Sequence, residues 1–427
     1  MSLLTAMSTG VSGLDAESDA LGIIGDNVSN SNTVGFKESR AVFEDVMGSA
    51  IGAPDAIGAG VRLTEAQQIF TEGSIQTTGN PTDLALSGDG FFVVQGTVAG
   101  QTGDFYTRNG QTTLNTNGQL VNPDGLPLQG YMLQPNGQPS SQLGPITLAT
   151  AALPPKATTS MTITANLDAN ATPPKTPWDP QNPSTTSNFS TGMTIYDSLG
   201  NAHAVNVYFV NTAPGQWDYH ALANGSEVSG GTAGQNSEIA SGSLSFTSNG
   251  AIQSITTGSN SVTFNGANPQ TLAMNLGSQI ANGGTGLDGV TQFGSPSNVS
   301  SQSQDGFTSG DLSGVQVDAN GKVSGVYTNG QTIAVGQLAI AKFRSNDGLA
   351  SAGQSLWAAT DKSGQAALGT ASNGGRGAIV PGALEQSNVD IATQFVGLIQ
   401  HQRAFEANSK TIQTADQMLQ AMMQVIQ

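Results

Sequence analysis

Histidine is the side chain best suited to metal binding and to proton transfer near neutral pH. The sequence contains three, His203, His220 and His401, and their spacing matches neither HExxH nor another metal-ligand pattern. Because the chain has no cysteine, thiol nucleophiles, disulfides and Cys-based zinc sites are excluded as well. We therefore expect no catalytic histidine, no metal ion and no cofactor.

Three other stretches contain residue types that could do chemistry. The stretch GGTGLDGVT at 283–291 fits a calcium-binding nonapeptide, but such sites need several stacked copies and the sequence has one. The stretch GDGFFVV at 88–94 lacks the lysine of a phosphate-binding loop, and it is more typical of a turn that enters a strand. Glu44 and Asp45 are adjacent and point to different sides of a regular element, so they form no acid–base pair. The sequence therefore predicts a protein that is not an enzyme.

The balance of charges argues against two further functional classes. The chain has 427 residues with 13 basic and 30 acidic side chains, a formal net charge of −17, and no Lys or Arg lies between Lys175 and Lys322. Nucleic acids and anionic membrane surfaces repel such a chain, so neither is expected as a partner. No apolar run reaches the roughly 18 residues of a membrane helix. The N-terminal residues also lack the basic and apolar regions of a cleaved secretory signal, so we expect neither membrane insertion nor signal cleavage.

Apolar side chains at both ends of the chain have the spacing of long helices. Near the N-terminus, steps of three and four residues or their sum connect Leu4, Met7, Val11, Leu14, Leu21 and Val28. Near the C-terminus, steps of seven connect Ile391, Leu398, Phe405, Ile412, Leu419 and Ile426, and Phe395 lies four residues after Ile391. A sustained seven-residue repeat favours a left-handed seam against a partner helix. We expect the two rows to pair as a coiled-coil-like helical layer that serves assembly; ordinary core helices of one globular domain are the alternative.

Between these helices the sequence has the character of antiparallel β-structure. From about Thr71 to Thr360, short runs rich in Val, Ile, Thr, Phe and Tyr alternate with Asn-Gly or Asp-Gly pairs. Such pairs favour the positive φ angles of type I′ hairpin turns. The expected fold class is therefore α+β and multidomain, with mostly antiparallel β domains nested between the terminal helices.

Shifts in composition divide this β region. Prolines are densest at 153–183, and a loose stretch of Gly, Ser and Gln covers 282–305. We interpret these stretches as the two crossings into and out of an inserted outer domain. The expected domains are a terminal helical domain at 1–30 and 388–427, a connecting segment at 31–75 and 360–387, an inner β domain at 76–145 and 303–359, and an outer β domain at 146–302.

The stretch NVSNSNTVGFK at 27–37 predicts how the N-terminal helix ends. Its short amide and hydroxyl side chains can hydrogen-bond orphan backbone groups, and Gly35 supplies the conformational freedom for a turn. We expect Phe36 to anchor that turn between the helical layer and the β domains; a plain loop with a buried Phe is the alternative. The turn residues are Asn30, Asn32, Thr33, Gly35, Phe36 and Lys37.

Four stretches, taken in order, resemble the bacterial flagellar axial family of rod, hook and hook-associated proteins. They are the helix ending in NVSNSNTVGFK, the segment NPTDLALSGDGFFVV at 80–94, the pair YTRNG and GQL within 106–120, and the tail from GALEQ to DQML at 382–419. The second stretch adds Gly88, Gly90, Phe91 and Phe92 to the motif residues. The chain departs from the family in having serine where the turn motif usually has alanine, and serine is small enough for the turn to survive.

The resemblance covers the two ends of the chain, and FSTGMTIYDSLGNAHAVNVYFV at 189–210 is more weakly similar to the outer domain of hook members. That stretch and the chain length favour the hook members over the shorter rod proteins. The resemblance implies a subunit that polymerises head to tail into a curved tubular hook, a universal joint that transmits motor torque to the filament. A distal-rod or other axial subunit and, less favoured, a secreted β-rich adhesin are the alternatives.

The same resemblance implies partners and a location. The partners would be copies of the chain itself, the flagellar rod, the hook cap, the hook–filament junction proteins and a flagellum-specific type III export apparatus. Export through that apparatus proceeds unfolded and without signal cleavage, which agrees with the N-terminal residues of this chain. The expected location is outside the bacterial cell, in the flagellum.

Overall fold

The structure is a computed structural model that describes residues 3–47, 58–134, 137–149 and 151–425. Its two long helices are α1 Leu3–Ser29 and α3 Ile391–Val425, with a short α2 at Pro183–Thr186 and single 3₁₀ turns at Ile280–Asn282 and Asn346–Gly348. None of the described helices is long and apolar enough to cross a membrane. The expected α+β class is confirmed, since two paired terminal helices flank a mostly β-sheet chain.

In chain order, the strands before residue 150 are β1 Ser39–Met47, β2 Gly58–Gln68, β3 Ile75–Thr77, β4 Leu84–Ser87, β5 Phe91–Val98, β6 Gln101–Thr107, β7 Thr113–Leu114, β8 Leu120–Val121, β9 Gln129–Leu133 and β10 Pro139–Pro145. The strands from 151 to 304 are β11 Ser160–Asp168, β12 Phe189–Tyr196, β13 Ala202–Ala213, β14 Gln216–Asn224, β15 Asn236–Phe246, β16 Ile252–Thr257, β17 Ser261–Val262, β18 Gln270–Thr271, β19 Ala273–Asn275, β20 Thr291–Phe293 and β21 Asn298–Gln304. The remaining strands are β22 Leu312–Val317, β23 Lys322–Tyr327, β24 Thr332–Lys342, β25 Ala350–Gly353, β26 Leu356–Ala358, β27 Ala367–Thr370, β28 Ala378–Pro381 and β29 Ala383–Glu385.

The chain divides into two compact units. The second unit consists of Ala151–Ser313 and Tyr327–Gln331, and the first unit consists of the other described residues. The sequence predicts an inserted domain at 146–302. The observed unit begins and ends somewhat later than that predicted domain, and it also includes the short segment Tyr327–Gln331. The finer division into four domains stays a prediction.

Two sheets surround the core of the second unit. Strands β12 to β16 form an antiparallel sheet in sequence order, while β11 lies at the centre of another sheet, parallel to β19 and β20 and antiparallel to β21. Side chains alternate between core and outer face because successive residues of a strand point to opposite sides. On β13 and β14, the core side therefore carries the fully buried Val205, Val207, Phe209, Trp217 and Tyr219.

In the first unit, a large antiparallel sheet runs in the order β10-β9-β24-β5-β6-β26-β25, with β23 and β27 also paired to β24. Its core is aromatic: Phe343 packs edge to face on Phe91 at 6.0 Å and on Tyr106 at 4.7 Å between ring centroids. Strands β1 and β2 form a separate long ribbon. The short pairs β3–β29 and β4–β28 join residues near the start of the β region to residues just before α3, so the two ends of the chain run side by side.

The hairpin turns differ from the predicted type I′. Gly118, Gly125, Gly250, Gly321 and Gly330 have φ between 76° and 79°, but none of the preceding Asn or Asp residues has a positive φ. Each of these glycines donates its N–H to the carbonyl oxygen three residues earlier, as Gly118 does to Asn115 at 3.0 Å. This is a type I turn closed by a left-handed glycine. The type I geometry is favoured over type I′ because a side-chain acceptor stabilises it. In the first of these turns, Asn115 Oδ1 accepts a hydrogen bond of 2.9 Å from the backbone N–H of the residue two positions later.

Gly242 on β15 allows Tyr219 to pack against the sheet. A Cβ at this position would lie 2.3 Å from the carbonyl oxygen of Thr256 and 2.5 Å from the Tyr219 hydroxyl. We expect Gly242→Ala to lower the free energy of unfolding of the second unit by about 1–3 kcal/mol, the usual cost of overpacking. Urea unfolding followed by circular dichroism measures the loss.

Gly294→Ala is the matched control in the same unit. The closest atom to its added Cβ would be Asn170 Nδ2 at 3.5 Å, an ordinary contact, and the glycine has no positive φ. Its effect should stay within about 0.5 kcal/mol. Equal losses in the two variants would contradict the packing argument.

Candidate functional site: the terminal helix pair and a buried ion triad

Helices α1 and α3 lie antiparallel along a seam of small residues. The buried residues of α1 in this seam are Gly13, Ala16, Ala20, Ile24 and Asn27. A Cβ added at Gly10 would lie 2.9 Å from the Ile412 side chain, and one at Gly13 would lie 2.6 Å from the Asn408 amide. On α3 the seam includes the buried Ala415. Small side chains on both helices therefore let the two backbones approach closely.

Polar contacts fix the register of this helix pair. Glu17 Oε2 lies 2.5 Å from His401 Nδ1, and the Asn27 amide donates to Gln394 Oε1 at 3.1 Å. Asn27 also binds the backbone N–H and C=O of Ser39 at the start of β1, both at 2.8 Å. One buried amide thus joins α1, α3 and the β1–β2 ribbon. A shift of one helix along the other by one turn would break the Glu17–His401 and Asn27–Gln394 contacts.

The large side chains of the predicted apolar rows are only partly buried within one chain. Val11 on α1 and Ile391, Phe395 and Phe405 on α3 are 46%, 44%, 51% and 37% exposed. The remaining described row members are half-buried: Leu14, Leu21, Val28, Leu398, Ile412 and Leu419. The side chain of Leu4 and the whole of Ile426 lie outside the described residues. The helices pair as predicted, and the row member Ile412 lies in their contact beside Gly10, while the exposed row members remain available for other contacts.

The exposed apolar surface of α3 extends beyond the predicted row. Four more apolar residues of α3 are exposed: Val396, Ile399, Met418 and Met423. Val396 is next to Phe395 in the sequence, and Ile399 is one helical turn after Phe395. Single exposed apolar residues are ordinary on soluble proteins, but a contiguous set marks an interaction surface. We call Ile391, Phe395, Val396, Ile399 and Phe405 the outer face of α3.

The turn after α1 uses its small polar side chains as predicted. Ser29 Oγ donates to the Gly25 carbonyl at 2.7 Å, Asn30 Nδ2 donates to the Asp26 carbonyl at 3.0 Å, and Thr33 Oγ1 donates to Asn30 Oδ1 at 3.0 Å. The first two bonds add side-chain donors to carbonyls of the last helical turn, and the third connects two side chains of the turn that follows. Asn32 is exposed at the tip of the turn.

The turn requires glycine at position 35 for two reasons, the backbone angle and the lack of space for a side chain. Its φ is 69°, and a Cβ there would lie 2.5 Å from the backbone nitrogen of Asn109. The Gly35 N–H donates to the Glu385 carbonyl oxygen at 2.8 Å. The turn therefore brings the chain against both the β6 end and the segment that precedes α3.

The next residues of the turn point into different environments. Phe36 is half-buried and lines an open cavity of about 450 Å³ together with Asn30, Thr33 and Trp357. Lys37 is fully buried, and its Nζ lies 2.5 Å from Glu385 Oε1. The anchoring role expected for Phe36 stays a prediction, while Lys37 has the more extensive set of contacts.

Lys37, Arg108 and Glu385 form a buried ion triad. Arg108 Nη1 lies 3.1 Å from Glu385 Oε2, so the carboxylate holds one cation on each oxygen. Lys37 also donates to the Thr71 carbonyl at 2.6 Å, and the Gly73 N–H donates to Glu385 Oε1 at 3.0 Å. Burial lowers the pKa of the Lys37 ammonium below its usual range, although Glu385 acts to raise it. Three distant parts of the sequence meet at one carboxylate.

Arg108 connects the triad to the motif GDGFF. Its guanidinium donates to the carbonyls of Leu86 at 3.0 Å and Gly88 at 2.7 Å, and it lies 5.5 Å from the Phe91 ring centroid. Gly88 and Gly90 have φ of 97° and 130°, and a Cβ at Gly90 would lie 2.5 Å from Ile340. Phe91 and Phe92 are both buried at the start of β5. These motif residues therefore shape the turn that receives the guanidinium.

Sequence reasoning did not single out Arg108 and Glu385. Both lie in stretches that resemble the family. Arg108 is the one charged residue of YTRNG, and Glu385 is the one charged residue of GALEQ. In a chain with 10% charged residues, such isolated charges of opposite sign are a usable signal for a buried pair. Periodicity could not reveal it, because the partners belong to no common helix or strand.

The residues considered for chemistry lie in separate places. No group of three or more His, Asp or Glu side chains suited to a metal ion occurs among the residues the structure describes. His203 lies between Asp197 and Glu227, while His220 contacts Glu238 and His401 contacts Glu17. In the calcium-like stretch, Asp288 Oδ1 accepts hydrogen bonds from the backbone and hydroxyl of Ser278 at 2.8 Å, which is a loop-stabilising role.

Family models match the chain along most of its length. "Flagella basal body rod protein" matches residues 7–37, and "Flagellar hook protein FlgE/F/G D1 domain" matches 85–166. "Flagellar basal body protein FlaE D2 domain" matches 166–307, and "Flagellar basal body rod FlgEFG protein C-terminal" matches 380–425. Lys37, Arg108 and Glu385 thus come from three different matched regions.

Curated relatives match nearly the whole chain. It is 37% identical over 423 residues to the flagellar hook protein FlgE of Salmonella typhimurium, which covers 97% of this chain and 98% of the relative. It is 36% identical over 424 residues to the flagellar hook protein FlgE of Escherichia coli, with coverage of 97% and 98%. The crystal structure of Helicobacter pylori flagellar hook protein FlgE2 is similar in fold, with a TM-score of 0.51, 15% identity and coverage of 73% of this chain and 100% of that chain.

The triad makes a strong prediction for Glu385→Gln. The substitution keeps the shape of the side chain but leaves two buried cations without a carboxylate, so we expect a loss of about 3–5 kcal/mol in the free energy of unfolding. Chemical denaturation of the monomer measures it. Glu44→Gln is the matched control, because Glu44 pairs with Arg62 on the exposed ribbon, where a loss below about 1 kcal/mol is expected. A similar small loss for both variants would contradict the structural role of the triad.

Proposed function

The chain belongs to the flagellar hook protein family, and we propose that it polymerises through the large apolar side chains that its terminal helices leave exposed. It is a structural subunit of the bacterial flagellar hook, outside the cell, and not an enzyme. The observation that carries the proposal is the outer face of α3, whose five apolar side chains are between 37% and 56% exposed. The predicted coiled-coil-like layer would then form between copies.

The two faces of α3 have different chemistry, which supports this division of roles. The seam with α1 is made mainly of small and polar residues, together with Ile24 and Ile412, whereas the outer face carries Phe395, Phe405 and aliphatic side chains. Full burial of one such side chain contributes about 1.5–3 kcal/mol. An interface that joins one face of a copy to a different face of the next does not close on itself, so it produces an open helical assembly. The half-buried row on α1, with Leu14, Leu21 and Val28, is the complementary surface we propose.

The triad and the turn would carry force between the helical layer and the β domain of the first unit. Lys37 follows the α1 turn, Glu385 precedes α3, and Arg108 follows strand β6. Torque applied to the helices would therefore pass into the sheet through two short, buried ion pairs rather than through a flexible loop. This arrangement suits a subunit of a joint that bends while it transmits rotation.

The second unit presents few cations for fixed contacts with neighbours. Lys156 and Lys175 are the only basic residues between positions 151 and 313, and Lys156 is paired to Asp305 at 2.9 Å. Exposed ion pairs are individually weak. A surface with few of them would let adjacent copies slide as the hook bends.

The finer partner assignments rest on the family alone. We propose that the ends of the polymer meet the flagellar rod and the hook–filament junction proteins, that a hook cap assists growth, and that the chain leaves the cell through the type III export apparatus. The distal-rod and adhesin alternatives lack comparable support, because the relatives that cover 97% of this chain are hook proteins.

Substitution on the outer face of α3 tests the polymerisation proposal. Phe395→Ser and Val396→Ser remove apolar side chains that are 51% and 56% exposed, so the monomer should keep its circular dichroism spectrum and nearly its melting temperature. The critical concentration for polymer formation should rise about 10-fold or more for each, because 1.4 kcal/mol of lost burial is a factor of ten. Sedimentation and electron microscopy of purified protein measure the polymer.

Phe293→Ser serves as the matched control. Phe293 is 45% exposed in the second unit and takes no part in the helix pair. Its polymerisation should resemble that of the unaltered chain. If the α3 variants polymerise normally, or the control fails to the same degree, the outer face is not the assembly surface.

A further inference from the structure

The chain contains ten Asn-Gly pairs, and an Asn-Gly pair can react within itself. The glycine nitrogen attacks the side-chain carbonyl carbon of the asparagine, ammonia leaves, and a cyclic succinimide forms. Asparagine is accordingly one of the thermolabile residues of proteins. Glycine leaves the attacking nitrogen unhindered because it has no Cβ. The fold decides which pairs react, since the nitrogen and the asparagine side chain must both be able to move.

Backbone hydrogen bonds protect most of these pairs. The structure describes both residues of nine pairs, and in six of them the glycine N–H donates to a backbone carbonyl oxygen at 2.8–3.0 Å. These six glycines are Gly118, Gly225, Gly250, Gly283, Gly321 and Gly330. The nitrogen must lose its proton before it attacks, and a hydrogen bond holds that proton in place. We therefore expect these six pairs to react slowly in the folded chain.

The other three described pairs have a glycine N–H without an acceptor among the described residues: Gly110, Gly266 and Gly374. In the first pair, Asn109 Oδ1 accepts a hydrogen bond of 3.0 Å from the backbone N–H two residues later. In the second, Asn265 Nδ2 donates to the Ser226 carbonyl at 2.8 Å. Asn373 is exposed, and its side-chain amide has no hydrogen-bond partner within the described part of the chain. Asn373 therefore combines an unbonded side chain with an unbonded glycine nitrogen.

The backbone after Asn373 is also unusually free to rotate. Asn373 lies in the turn that connects β27 to β28, and the next two residues are Gly374 and Gly375, with φ of 62° and 73°. Glycine has a wider range of backbone angles than any other residue. The Gly374 nitrogen can therefore turn toward the Asn373 side chain at little conformational cost.

Arg376 activates the peptide group that must react. Its Nη1 donates to the carbonyl oxygen of Asn373 at 3.0 Å, and its backbone N–H donates to the same oxygen at 3.2 Å. This carbonyl and the Gly374 N–H belong to one peptide group. Since hydrogen bonds between charged partners are the strong ones, the guanidinium stabilises the negative charge that the group carries after losing its proton. A bond of 3.1 Å from Nε to the Ile340 carbonyl fixes the guanidinium in this position.

We propose that Asn373 is a site of spontaneous modification, which the chain converts to aspartate or isoaspartate with the help of Arg376. A bond forms between the Gly374 nitrogen and Asn373 Cγ, while the Cγ–Nδ2 bond breaks and ammonia leaves with the proton of the N–H. Water then opens the ring at either of its two carbonyl carbons. The sum is one water consumed and one ammonia released, so the reaction needs no oxidant, reductant or cofactor.

The product changes the chemistry of this turn. Either product adds a carboxylate to the turn that contains Arg376, and the isoaspartate also lengthens the backbone by one CH₂ group. The hook subunit is outside the cell, so the proportion of modified chains should increase with the age of the polymer. The site would thus record how long a subunit has been folded.

Peptide mass spectrometry of the aged protein tests the proposal. The full-length chain is incubated at mildly alkaline pH, either folded or unfolded in urea, and digested with trypsin. The peptides Ser363–Arg376 and Val323–Lys342 each contain a single asparagine, so Asn373 and Asn329 are measured separately. Asn373 should react in the folded chain at least as fast as in urea.

Asn329 is the internal reference, because the Gly330 N–H donates to the Tyr327 carbonyl at 3.0 Å and the Asn329 amide donates to the Thr308 carbonyl at 2.6 Å. Its reaction in the folded chain should be about two- to ten-fold slower than in urea, or slower still, since a typical net hydrogen bond corresponds to such a factor.

Three variants separate the proposed chemistry from general damage. Asn373→Gln cannot form the same ring, so the acidic species that ion-exchange chromatography detects after ageing should decrease. Arg376→Gln removes the cation, so modification of Asn373 should slow by about five-fold in the folded chain, the difference between a charged and a neutral hydrogen bond, and stay unchanged in urea. Arg344→Gln removes an exposed cation outside the turn and should leave the rate unaltered.

Two results would overturn the site itself. They are an Asn373 that stays unmodified in the folded chain while it reacts in urea, and equal ratios of folded to unfolded rates for Asn373 and Asn329. An unaltered rate in folded Arg376→Gln would overturn the role of the guanidinium. Far-UV circular dichroism of each variant confirms that the chain is folded before incubation.

Discussion

A carboxylate buried between two cations is the constraint on which the first unit depends. Glu385 must be near Lys37 and Arg108, because any of the three left alone in the interior would carry an uncompensated charge. Meeting that requirement places the segment before α3 against the turn after α1, and the strand pairs β3–β29 and β4–β28 extend the same alignment. The two helices then start and end at fixed positions, with Asn27 and His401 setting their register.

The distribution of side-chain size on the helices follows from that alignment. Close approach of α1 and α3 requires glycine and alanine in the seam, so the large apolar residues lie on other faces. Such a pair is compact within one chain and still apolar toward its surroundings. A subunit of an open polymer needs an assembly surface that stays exposed in the single folded chain.

Much of this arrangement was predictable from the sequence, and the failures have physical causes. The helices, the β character of the middle and the polar turn at 27–37 could be predicted because each depends on residues that are close together in the sequence. The small residues Ala16 and Ala20 of the intrachain helix contact were not singled out, because periodicity reveals a stripe of large apolar residues but not the partner of that stripe. The type I′ turns were wrong because side-chain acceptors such as Asn115 favour type I. The triad was missed because its members share no element.

The same triad has a consequence for the order in which the chain can fold. Lys37 and Glu385 are separated by 348 residues, and Arg108 and Glu385 by 277. Contacts between such distant residues form late, because the entropy of closing a long loop must be overcome before the contact contributes. A chain delivered N-terminus first would hold two cations without their carboxylate until its last tenth arrived. The joint between the two ends therefore forms only with the C-terminal segment, whereas local strand pairs such as β1–β2 and β5–β6 can form earlier.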